Sequence, residues 1–160
     1  MTLLDTEKDH GTIYCELIDQ DIQGDHPYFR FESHCRMAMA NIGLAISCGT
    51  RLAETRELLE IIDTLYNNLS SPEEKLQDQV RKKLNHEDDV WLDMKQKFSS
   101  GDARSSYLIL AHADVKLALS DLVDMRKDSR FTGFVSDYLL NYMYKLSVAL
   151  YREAIGHVLL

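Results

Sequence analysis

The stretch from Phe131 to Leu160, FTGFVSDYLLNYMYKLSVALYREAIGHVLL, holds six of the chain's 14 aromatic residues and constrains the fold more than any other segment. At about 100° per residue, Asp137, Asn141, Lys145 and Arg152 fall in one narrow polar stripe, while Leu139, Leu140, Met143, Leu146, Leu150 and Ile155 occupy most of the remaining circumference. A helix apolar on nearly every side has to be covered nearly all round. The segment is therefore expected to be the central helix of a bundle or a helix shared with a second copy. Its far end, Tyr151 to Leu160, is the part that other segments do least to cover.

The rest of the chain supplies the covering helices. Phe31, Cys35, Ala38, Ile42 and Ala45 recur at spacings of four, three, four and three within Tyr28–Ser47, after a start marked by His26-Pro27. Cys48-Gly49-Thr50 offers either a stop with a fresh cap or a place where the helix continues. In Arg51–Leu69, Thr55, Leu58, Ile62, Leu65 and Leu69 form the clearest amphipathic pattern. Ser71-Pro72-Glu73-Glu74 reads as a capping box opening a further helix with Leu76, Val80 and Leu84 inward. The pattern lapses at Asn85–Asp89 and returns at Trp91, Met94 and Phe98. Asp102 caps a broad-faced helix running to about Lys127, and Ser129 or Thr132 caps the last one. Thr12–Ile22, with Ile13 and Leu17 on one side, is expected to be a short helix in an N-terminal arm. The expectation is an all-α single-domain bundle of five to seven helices, with bundle or globin-like packing and no β-sheet: an arm over 1–27 and a helical domain over 28–160.

Charge is placed unevenly. Residues 1–27 carry seven acids against Lys8, a net of −6, whereas the whole chain carries −8. The arm disfavours phosphate backbones and anionic membrane surfaces and favours a basic protein partner, so neither nucleic acid nor membrane is an expected partner. The longest uncharged run in the first half, 37–50, is too short to span a bilayer. The sequence begins MTLLDTEKDH, with neither a basic start nor an apolar core, so no secretory signal is expected and the location is read as cytoplasmic. Cys15, Cys35 and Cys48 are odd in number, lack C-x-x-C spacing and are expected to be small core residues.

Motifs for chemistry are sparse. The six histidines form no H-E-x-x-H pair, and no metal is expected; the His86-Glu87-Asp88-Asp89 cluster points its side chains in different directions. Phosphate-loop, dinucleotide and nucleophile-elbow signatures are absent. Arg152 to His157 (REAIGH) resembles the R-x4-H motif of HEPN domains, small helical proteins that often dimerise. The resemblance implies a ribonuclease in which Arg152 stabilises phosphate charge and His157 serves the 2′-hydroxyl. His112, following WLDMKQKFSSG, is similar in its order to the haem-ligating histidine of sensor globins, which implies a domain holding haem or an apolar ligand. The leading expectation is a non-enzymatic helical interaction or regulatory protein without a cofactor. It would act as a homodimer through Tyr142, Leu146, Leu150, Tyr151, Ile155 and Val158, with a groove beside the last helix or the acidic arm engaging a protein partner.

Overall fold

The computed structural model describes residues 11–85, 95–99 and 101–159. The chain opens with a hairpin, β1 (Thr12–Cys15) and β2 (Gln20–Gln23), paired antiparallel with Ile13 opposite Ile22 and Cys15 opposite Gln20. Both the short helix expected over Thr12–Ile22 and the absence of any sheet are thereby corrected. Thr12, Ile13 and Tyr14 are β-branched or aromatic and suit a strand. Asp19 takes the left-handed conformation (φ 52°) that the connecting turn requires, which Asp tolerates better than most residues. Cys15 and Ile22 share the face turned inward and join the common hydrophobic core, so this part of the arm packs as part of the domain.

Helix α1 (Pro27–Ser47) begins where expected. His26 is its N-cap and accepts the Tyr28 amide at Nδ1 (3.1 Å), with Pro27 in the first turn. Its buried residues are Phe31, Cys35, Ala38, Ile42 and Ala45, the five that the spacing singled out. The helix stops at Cys48: Gly49 (φ 82°) and Arg51 (φ 49°) reverse the chain before α2 (Leu52–Asn68). Helix α2 buries Thr55, Leu58, Ile61, Ile62, Leu65 and Asn68.

The capping box at Ser71 does not open a helix. The buried Asn68 side chain donates to the carbonyls of Pro72 (3.4 Å) and Glu74 (2.7 Å), and the Leu76 amide donates to the Tyr138 hydroxyl (2.8 Å). These partners hold the backbone out of helix until α3 (Asp78–Leu84). Next come the short α4 (Lys95–Ser99) and then α5 (Ala103–Arg126), whose predicted cap Asp102 accepts the Ser105 amide at 3.0 Å. The His86–Asp89 cluster, Trp91 and Met94 lie outside the described residues.

The last helix, α6, runs Asp137–Leu159 rather than from Phe131. Thr132 donates its hydroxyl to the carbonyls of Arg126 and Asp128, so it closes α5 instead of opening α6. Ser136 accepts the Leu139 amide (3.1 Å) as the cap, while Phe131 is fully buried against the His26 ring.

Helices α1, α5, α6 and α2 contact one another in a closed ring, the neighbour pattern of a four-helix bundle, with the α1–α5 pair the most extensive. No helix among the described residues is long and apolar enough to cross a membrane. Helix α6 is one side of this ring, packed between α5 and α2, and also carries α3. Of the residues expected to meet a second copy, Tyr142 (8% exposed), Leu146 (0%), Leu150 (0%), Tyr151 (8%) and Ile155 (1%) are buried within one chain, because α5 and α2 cover that face. They are core rather than surface. The side chain of Val158 lies outside those described.

Candidate functional site

A cleft of about 610 Å³ runs between α2, α3 and α6. Its floor is apolar: Leu58 and Ile61 from α2, Leu84 from α3, Val148 and Ala149 from α6. Leu58 and Ile61 reach it because they lie on the flank of the amphipathic stripe that α2 turns toward α6. Leu84 reaches it because the C-terminal end of α3 is anchored to both α2 and α6. The Lys83 ammonium meets Glu57 of α2 at 3.0 Å, and Lys145 of α6 donates to Asn85 while standing 5.3 Å from the Tyr142 ring centre.

One end of the cleft is closed by a polar network spanning three helices. Arg104 of α5, only 7% exposed, donates through Nη2 to Thr55 (2.7 Å) and to Glu153 Oε1 (2.9 Å). Arg51 donates through Nε to the same Oε1 (2.5 Å) and through Nη2 to Oε2 (3.3 Å). The Thr55 hydroxyl donates to the Arg51 carbonyl (2.8 Å), and Ser105 donates to the Ala154 carbonyl (2.7 Å). Burial pushes the Glu153 carboxyl up, but hydrogen bonds from Arg51 and Arg104 outweigh it and hold the group below its usual range. Glu153 is therefore an ionised structural anion and a weak base, suited to holding two arginines rather than to moving protons.

The remaining carboxylates of the cleft are also matched, Glu57 by Lys83 and Glu54 by Arg51 at 3.8 Å. Four bases (Arg51, Lys83, Lys145, Arg152) and three acids (Glu54, Glu57, Glu153) share the rim. An apolar floor inside a rim of nearly balanced charge is a binding surface for an amphipathic segment.

The other residues singled out from sequence fall elsewhere. Arg152 lines the cleft, and the side chain of His157 lies outside those described. His112 is 8% exposed and lies away from the cleft. Its Nδ1 donates to the Ser147 carbonyl (2.6 Å), its ring sits 5.4 Å from that of Tyr151, and burial lowers its proton affinity, so it pins α5 to α6 as a neutral imidazole. Among the described residues no group of three or more His, Cys, Asp or Glu could hold a metal ion. A second cleft of about 410 Å³ lies between the hairpin, α1 and α2, with Tyr28, Phe31 and Tyr66 on its wall. Cys15 and Cys35 are buried, as expected of core residues, but Cys48 is exposed beyond the end of α1.

Sequence reasoning missed Thr55, Arg104 and Glu153 as a group. Nothing local to Arg104 signals that it meets a carboxylate 49 residues away.

The sequence profile of the family described as Domain of unknown function (DUF1940) matches residues 14–156, and the chain belongs to that family. No curated protein matches the sequence.

Proposed function

We propose that this member of the DUF1940 family is a non-enzymatic helical interaction protein that acts as a homodimer and receives a segment of a protein partner in the cleft between α2, α3 and α6. The observation that carries this reading is the construction of the cleft: Leu58, Ile61, Leu84, Val148 and Ala149 on the floor, and a rim whose carboxylates are all tied to cations. The fitting occupant is an amphipathic helix, laying residues spaced three and four apart on the floor and carrying charges of both signs at its edges. The exposed acids of the hairpin, Glu16, Asp19, Asp21 and Asp25, favour a partner with additional basic surface.

The test is selection of displayed amphipathic helical peptides against the wild-type chain, followed by binding measurements on Ala149→Glu. That substitution sets a charge in the middle of the floor on a residue that is only partly buried. The expected result is a set of peptides with a three-and-four apolar stripe whose affinity drops at least about tenfold on Ala149→Glu, equivalent to 1.4 kcal/mol. Peptides that bind both proteins equally, or no enriched peptide at all, would refute the reading.

A further inference from the structure

The outer surface of the α1–α5 pair is unlike the solvent face of an ordinary surface helix. Met37 (51% exposed) and Leu44 (45%) lie seven residues apart on α1, and Leu110 (50%) and Leu117 (49%) lie seven apart on α5. The two helices run antiparallel, as the cross-links show: His34 Nδ1 to Asp121 (2.5 Å), Asn41 Nδ2 to Asp114 (2.8 Å) and Arg30 to Asp121 and Asp124. That register sets Met37 level with Leu117 and Leu44 level with Leu110. Each apolar level stands outward of a polar level that is already bonded within the chain.

The outward positions of α1 are otherwise small or uncharged. Ser33, Ala40, Gly43 and Ser47 are exposed, and Arg36 is the one charge among the outward positions between Arg30 and the helix end.

We infer that this face, the outer side of α1 and α5, is the surface through which two copies of the chain associate. The inference rests on the homodimer reading above but not on the cleft. Three observations select a second copy as the occupant. The charges beside the apolar levels, Arg30, Asp114, Asp121 and Asp124, are bonded within the chain, so an identical face meets them with little like-charge repulsion and a charged partner finds few of them free. The apolar pairs repeat every seven residues on both helices, the period at which helix layers mesh at shallow angles. Either two-fold axis lying in the plane, along the helices or across them at the Asn41–Asp114 level, sets an apolar level of one copy on an apolar level of the other. The size is also adequate. Helices of 21 and 24 residues, about 30 Å long and together about 20 Å wide, give a footprint near the roughly 800 Å² per partner of a standard interface once side-chain relief is counted.

The test is sedimentation velocity on the full chain up to about 100 μM, which detects micromolar association, with circular dichroism on every sample. The expected result is a dimer for the wild type, a monomer with unchanged helicity for Leu44→Glu and for Leu117→Glu, and a dimer for the cleft variant Ala149→Glu. A strictly monomeric wild type, or a dimer that survives both charge substitutions with native helicity, would overturn the inference. Should either leucine variant lose helicity, Met37→Glu serves in its place, since Met37 is half exposed on the same face; a dimer undiminished by it counts against the face. Loss of peptide binding with the dimer intact would refute the cleft alone, and loss of the dimer with peptide binding intact would separate the two readings.

Discussion

Replacing Glu153 with glutamine isolates the element that ties three of the four long helices together. Glu153 is 15% exposed and bridges Arg104, 7% exposed, to Arg51, 37% exposed. Removing one partner of a buried pair costs about 3–5 kcal/mol when the other is left wholly uncompensated. Here the amide keeps one acceptor, and Arg104 keeps Thr55, so the expected loss is about 2–3 kcal/mol, which lowers the midpoint of urea unfolding by roughly 1 M for an ordinary slope. Arg51→Ala should cost less than about 1 kcal/mol, because its guanidinium is more than a third exposed and water screens it. The pH dependence supplies a second signature. The folded state holds the Glu153 carboxyl below its ordinary 4.5, so its contribution is fully present above that value and is lost progressively below it, as pH falls through the lower folded value. The gap between wild type and Glu153→Gln should therefore be full at pH 7 and close on acidification. A gap under about 0.5 kcal/mol at neutral pH, within the scatter of ordinary surface substitutions, would refute the account of this network, as would one that persists unchanged in acid.

Two further outcomes follow from burial. His112 has its proton affinity lowered in the fold relative to the ordinary 6.5, chiefly by burial, so the unfolded chain takes up the proton first and stability falls as pH drops below that value. His112→Gln, which can still donate to the Ser147 carbonyl, should flatten the stability profile between about pH 7 and pH 5, the window in which a histidine of ordinary pKa titrates; an unchanged slope would show that the ring is not buried and neutral. Of the three thiols, Cys48 should react with an aromatic disulfide reagent in the native protein, while Cys15 and Cys35, both 0% exposed, should react only on unfolding. Burial also raises Cys35 far from its ordinary value, which deprives it of thiolate. A second fast thiol would mean that the hairpin carrying Cys15 is not packed on the core.

Much of the helical framework was legible because it depends on local periodicity. The α1 core residues, the apolar stripe of α2 and the Asp102 cap all follow from spacing within one helix. The hairpin was not legible in the same way. Ile13 and Leu17 sit four apart, as on a helix, yet Ile13 belongs to a strand and Leu17 to the turn that follows it. The Ser71-Pro72 signal was overridden by Asn68 and Tyr138, which satisfy the backbone of that segment better than one more helical turn would. Of the candidate site, the floor residues Leu58 and Leu84 were readable as inward, and Arg152 stood out as a charge on an apolar helix. Their convergence was not readable.

The sequence by itself determined that the chain is dominated by helices, which residues of α1 and α2 face inward, and that α6 must be covered on almost every side. Those properties come from interactions within a few residues, where helix geometry fixes which side chains are neighbours. Only the tertiary structure decided what covers α6, that its apolar residues lie in the core of one chain, and that Arg51, Arg104 and Glu153 meet at the end of a cleft. It also decided that Met37 and Leu44 of α1 and Leu110 and Leu117 of α5 are left outside. A periodic pattern states that a face is apolar; whether that face turns to the core or to solvent depends on which helix packs beside it, and that is set by contacts between residues far apart in the chain.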